Sequence, residues 1–196
     1  MFALVQSRKI KQYFAGNKGI TIGDIQYPKT IFTLWNEEQR NNIGVYSIVI
    51  DNSNKKDDEW YINTDISYSY SNNTVVGTYG TATAKELDDE YNNNDELVSY
   101  GLKSKKKNII KQQAQGLLNK TDWYIIKASE VESYSVPEEI TQYRADVRAK
   151  SNEMETAIDN ATDVDALATL YTYVNTGTEE NPVIERPLGE FPKEVV

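Results

Sequence analysis

The rhythm of apolar and polar positions changes partway along this chain. Over residues 1–90 the apolar residues come in short runs and period-two alternations, the pattern of half-buried strands. "FALVQ" and "KIKQYF" meet at Ser7-Arg8, which predicts an opening hairpin. "TIFTLW" (30–35) and "VYSIVI" (45–50) predict two further strands, separated by the polar "NEEQRNNIG". "DNSNKKDDE" (51–59) reads as an exposed loop. In "DISYSYSNNTVVGTYG", Ile66, Tyr68 and Tyr70 fall on one strand face. Asn72-Asn73 supply two residues that tolerate positive φ, as a tight hairpin turn requires.

Beyond Thr81 the chain turns acidic and Asn-rich, and residues 88–96 read as a boundary. After it the period becomes helical. Ile109, Ile110, Ala114, Leu117 and Leu118 share one face of a helix predicted over 102–119. Ile140, Tyr143, Val147, Met154 and Ile158 mark a second, stronger helix. Pro137 stands at its start, with Glu138 and Glu139 in the first turn. Asp163 is placed to cap a short third helix carrying Val164, Leu167, Leu170 and Tyr171. The last segment contains Pro182, Pro187 and Pro192, which rule out helix and predict extended chain. The fold class expected is α+β. A β-rich domain spans 1–90, a helical hairpin with a short third helix spans 97–174, and an extended tail spans 175–196.

One stretch resists this scheme. Trp123, Tyr124, Ile125 and Ile126 are consecutive, whereas an amphipathic helix spaces its apolar residues three and four apart. The expectation is a short extended stretch, with the Trp123 ring packed between the two long helices.

Composition narrows the chemistry. Net charge is −9, from 21 basic and 30 acidic residues, which argues against binding nucleic acid through phosphate neutralisation. The chain has no Cys and no His, so it lacks thiol chemistry, the usual general base and the commonest transition-metal ligand. The triplets "DDE" at 57–59 and 88–90 lack the spacing of a calcium loop and read as solvated loops. "AGNKGITIG" lacks the ending of a phosphate loop. Nothing singles out two carboxylates for glycoside cleavage. The lysines of "LKSKKKNIIK" read as the wet face of a helix. No window is apolar enough for a membrane span, and the opening "MFALVQSRKIKQYF" has too short an apolar run for a signal peptide. No cofactor is implied. Tyr, with 14 copies, suits half-wet faces and interfaces, so Tyr68 and Tyr70 either cover a sheet or meet a partner.

The order "QGLLNKTDWYIIK" followed by "VPEEITQYRADVRAKSNEME" resembles the C-terminal helical module of tailed-phage tail proteins. That module occurs in tail-fibre assembly proteins and in small tail or baseplate-associated virion proteins. The matching residues are Leu117, Leu118, Thr121, Asp122, Trp123, Tyr143, Arg144 and Arg148, within residues 103–160. The linker here is longer than in the short assembly proteins, and a third helix and a tail follow. The resemblance therefore implies a structural virion protein of the tail, baseplate or fibre-attachment region, with a fibre-assembly chaperone as the alternative. A small glycan-binding or glycan-cleaving tail enzyme is a third class. The expected partners are fibre, adaptor or baseplate subunits and further copies of the chain, not nucleic acid or membrane. The expected location is the virion tail, after synthesis in the host bacterial cytoplasm. Contacts are expected from Trp123, Tyr124, Tyr143, Arg144 and Arg148, from Tyr68 and Tyr70, and from Ile184, Leu188 and Phe191 on a tail acting as a docking arm that is disordered in the free protein.

Overall fold

The computed structural model describes residues 1–195, so Val196, the end of the expected tail, lies outside the described residues. The chain divides into two compact units, Met1–Thr83 and the remainder from Ala84.

In the first unit, β1 (Phe2–Gln6) and β2 (Lys9–Phe14) form the expected hairpin. Ser7 and Arg8 have φ of 50° and 61°, the left-handed pair that a two-residue turn between twisted strands demands. Leu4 pairs with Gln12 and Val5 with Ile10, so Lys11 is an extra residue that bulges and bends β2. A small hairpin follows, β3 (Ile20–Ile22) with β4 (Ile25–Tyr27).

The strand expected at 30–35 is instead a single 3-10 turn, Lys29–Phe32, started by Pro28. Ile31 and Phe32 are adjacent and both buried, whereas a strand would send them to opposite faces. The polar separator after it forms α1 (Glu37–Asn42). Asn36 accepts from the Gln39 amide at 2.8 Å while the Gln39 side chain accepts from the Asn36 amide at 3.0 Å. This reciprocal cap was present in the sequence as Asn-x-x-Gln.

The remaining strands are β5 (Val45–Asp51), β6 (Tyr61–Ile62), β7 (Ile66–Ser71), β8 (Thr74–Tyr79) and β9 (Thr83–Ala84). The main sheet has the order β2-β1-β5-β8-β7, antiparallel except between β5 and β8. Both faces of β1 are used. Phe2 and Leu4 pack with Ile20, Ile31, Phe32 and Val45, while Ala3 and Val5 pack with Ile10, Tyr46, Ile48, Tyr70 and Val75. The sheet curls until its two edges approach, and the rings of Tyr13 on β2 and Tyr68 on β7 lie 5.0 Å apart. Inside this curl a Cβ on Gly77 would sit 2.8 Å from the Ile66 and Tyr68 side chains, so glycine makes room for the ring. Asn72 and Asn73 take the left-handed turn at the β7–β8 hairpin. The Tyr70 hydroxyl donates to Asn73 Oδ1 at 3.0 Å and lies 3.1 Å from the Tyr46 hydroxyl. Tyr68 and Tyr70 thus line their own sheet.

In the second unit, β10 (Glu90–Tyr91) and β11 (Leu97–Ser99) form a short hairpin. Four helices follow: α2 (Leu102–Asn119), α3 (Asp122–Glu130), α4 (Glu138–Asp159) and α5 (Val164–Tyr171). The expected α2 is present with its predicted limits, and α4 begins after Pro137. On α2, Leu102, Lys106, Ile110 and Ala114 are buried at four-residue intervals. They share the core with Ile140, Tyr143, Val147, Met154 and Ile158 of α4. Asp163 caps α5 by accepting from the Ala166 amide at 2.7 Å, and Val164 and Leu167 are buried.

The lysines of α2 are not a free wet face. Lys103 pairs with Asp88 at 3.1 Å, Lys107 with Asp159 at 2.6 Å and Lys111 with Glu155 at 3.3 Å. Lys106 is buried with its ammonium 4.6 Å from the centre of the Tyr171 ring. The last segment is likewise no free arm. β12 (Val174–Asn175) pairs with β13 (Ile184–Glu185), and the Leu188 amide then donates to the Leu170 carbonyl at 3.0 Å. Leu188 is 1% exposed. Apolar residues spaced between prolines can fold onto a chain's own helices as readily as onto a partner.

The segment expected as a boundary belongs to the helical unit. No side chain caps α2. Instead the carbonyls of Glu86 and Leu87 accept from the amides of Leu102 and Lys103 at 2.9 and 3.0 Å, and Gly101 donates to Asp89 Oδ1 at 2.7 Å. A Cβ on Gly101 would fall 2.3 Å from the Asp88 backbone. Gly101→Ala is therefore expected to destabilise the second unit by about 2 kcal/mol or more, because backbone, not a flexible side chain, has to move. Chemical denaturation followed by far-UV circular dichroism checks this, and an unchanged midpoint would show that the segment is not packed on the helix start.

Candidate docking surface of the helical module

The turn from α2 into α3 is built around one buried cation. The Arg144 guanidinium, on α4, donates to the Leu118 carbonyl at 2.8 Å and to Thr121 Oγ1 at 2.6 Å, and pairs with Asp122 at 2.9 Å. Thr121 is fully buried, and its hydroxyl donates to the same Leu118 carbonyl at 2.9 Å. The guanidinium thus adds a charged donor to a carbonyl in the last turn of α2, which also accepts from the Thr121 amide at 3.0 Å, and opposes the negative end of that helix. It also neutralises the carboxylate that opens α3. Four residues of the resemblance, Leu118, Thr121, Asp122 and Arg144, come together in this contact. Leu117, Leu118 and Tyr143 join a neighbouring apolar cluster with Ala114, Val147 and Phe191.

Trp123 does not join them. The segment 122–130 is a helix rather than an extended stretch, and none of its residues is buried. Trp123 is 51% exposed, Ile126 is 55% exposed, and Ile125 is exposed as well. Apolar spacing predicts a helix only when one side of it is buried. Here four successive residues fan around a helix that lies on the surface. The Trp123 ring rests beside Tyr124, 4.6 Å away, and Tyr134, 6.4 Å away. The Lys127 ammonium lies 4.2 Å from the Tyr134 ring centre and 5.1 Å from that of Trp123. The aromatic residues hold one another in place and leave the apolar side of α3 open.

The other expected residues divide. Tyr143 is 3% exposed and its hydroxyl finds no partner among the described residues. Burial raises its pKa above the ordinary phenol value, and Glu194 adds to the rise while Lys120 opposes it. Arg148 is exposed and donates to the Arg144 carbonyl at 3.2 Å. Leu188 and Phe191 pack within the unit, whereas Ile184 is exposed. Among the described residues no group of carboxylates is placed to hold a metal ion, and no helix is long and apolar enough to cross a membrane. No family model, curated protein or solved structure matches the chain.

These two neighbouring residues should respond oppositely to substitution. Arg144→Met removes the donor to the buried Thr121 hydroxyl and the ion-pair partner of Asp122 and should cost about 2–4 kcal/mol. Trp123→Ala should change stability by under about 1 kcal/mol, since half its surface is already in water. Thermal melts of both variants check the contrast. A large loss from Trp123→Ala would mean that the ring is a core element after all.

Proposed function

We propose that this chain is a structural protein of a tailed bacteriophage, located in the tail, baseplate or fibre-attachment region, and that it acts by docking to other tail proteins through α3. The observation that carries the reading is a helix tied at its start to Arg144 whose Trp123, Ile125 and Ile126 stay exposed. A contiguous apolar surface on a soluble unit marks an interaction site more often than not. Trp is the residue most enriched among those that dominate binding energy, and covering an Ile or Trp side chain yields about 1.5–3 kcal/mol each. The resemblance supplies the class of particle, and the meeting of its residues around Arg144 supports it. No chemical step belongs to this function.

Quantitative mass spectrometry of purified particles tests it, with wild-type chain and a Trp123→Asp/Ile126→Asp variant supplied in the host. The wild-type chain should be recovered at a fixed number of copies per particle. The variant, equally stable in solution, should be recovered at least about tenfold less. Absence of the wild-type chain from clean particles would favour the assembly-chaperone role, and equal recovery of both would remove α3 from the contact.

A further inference from the structure

A second surface of the helical unit also lacks an occupant. Between α2 and α4 runs an open groove of about 430 Å³, with Ala114 and Leu118 in its lining and Lys111, Arg144 and Arg148 on its walls. It lies on a different side of α2 from the tail, which meets Gln113, Leu117 and Lys120. Asp122 is the one acidic residue of its lining and is already paired with Arg144, as Lys111 is with Glu155. Arg148 has no carboxylate within ion-pair distance among the described residues, although Arg144 and Arg186 of the same unit each have one. In a chain of net charge −9, this groove presents an unneutralised guanidinium beside amide and hydroxyl groups of Gln115, Asn152 and Ser151.

The same unit carries a surface of complementary chemistry. Glu179 and Glu180 stand at the tip of the β12–β13 hairpin, exposed, and form no ion pair or hydrogen bond through their carboxylates among the described residues. Other runs of consecutive acidic residues are placed differently. Asp88 and Asp89 bind Lys103, Gly101 and Ser104. The pairs Glu37-Glu38 and Glu138-Glu139 occupy first turns of helices, where the amide dipoles favour them. Beside the hairpin tip, Val183 and Ile184 are exposed, and the groove offers the half-buried Leu118 as an apolar contact.

We propose that the hairpin tip of a second copy of this chain docks in the groove, with Glu179 and Glu180 against Arg148 and Val183 or Ile184 over Leu118. This names one partner within the docking role proposed above and rests on that role. Groove and tip are different patches, so the contact is heterologous and builds a ring if the rotation closes. A guanidinium binds a carboxylate through two parallel hydrogen bonds, which gives the contact direction as well as attraction.

Sedimentation velocity of the full chain over a range of concentration and salt tests this without particles, so it can fail while incorporation into tails succeeds. The wild-type chain should self-associate, and more weakly as salt rises. Arg148→Glu should weaken association at least about tenfold, and so should Glu179→Arg/Glu180→Arg. Combining the three reversals should restore most of the lost affinity, which general destabilisation would not do. A circular dichroism melt of each variant confirms folding, and Arg148→Gln provides a milder alternative should the reversal unfold the chain. A wild-type chain that stays monomeric at every concentration, or a combined variant no tighter than either parent, would overturn the proposal.

Discussion

A single buried guanidinium sets the geometry of the helical unit. Removing Arg144 from water is unfavourable unless its charge is met, and here Nη1 faces the Leu118 carbonyl, the Thr121 hydroxyl and the Asp122 carboxylate. These three groups belong to the end of α2, the turn after it and the start of α3. One side chain of α4 therefore fixes the direction in which α3 leaves the bundle. An apolar pair at this place would hold α2 against α4 but would leave the turn amide groups and the start of α3 unfixed. The cation supplies direction, which a helix that buries no residue of its own does not get from packing.

The same economy runs through the rest of the unit. With 39% apolar residues the chain has little to bury, and polar side chains take up part of the task of joining elements. Lys107 and Lys111 tie α2 to α4 through Asp159 and Glu155. Asp159 raises the Lys107 pKa by hydrogen bonding, more than burial lowers it. Partly exposed pairs of this kind contribute less than about 1 kcal/mol each, so the apolar seam of Ile110, Val147, Met154 and Ile158 still supplies most of the stability. Against that background, leaving Trp123, Ile125 and Ile126 uncovered is costly for so polar a chain. The docking proposed for α3 would offset that cost.

The helices α2, α4 and α5 were legible because their apolar residues recur every three or four positions and two of them start at recognisable signals, Pro137 for α4 and Asp163 for α5. The hairpin turns were legible because Ser7-Arg8 and Asn72-Asn73 sit between alternating strands. Apart from α1, whose Asn36–Gln39 cap is a local signal, the elements that escaped depend on information outside the local pattern. α3 buries no residue of its own, so periodicity had nothing to report, and its position comes from an arginine on another helix. The turn at Ile31-Phe32 is recognisable only once both residues are known to face one core. The parallel pairing of β5 with β8 joins strands far apart in sequence. Thr121, Asp122 and Arg144 meet in the structure, whereas Trp123, expected from its ring size to be packed between helices, lies at the surface because a run of apolar residues does not say which of them face inward. Leu188 and Phe191 were recognisable as anchors, though not as anchors to the chain's own helices.

The central claim is that Trp123 is open in the free protein and covered in the assembled particle. Hydroxyl-radical footprinting with mass spectrometry measures this at the residue itself. The account predicts rapid oxidation of Trp123 and Tyr124 in the purified chain and strong protection of both in intact particles, with Tyr143 protected in each. Equal oxidation of Trp123 in the two states would contradict it.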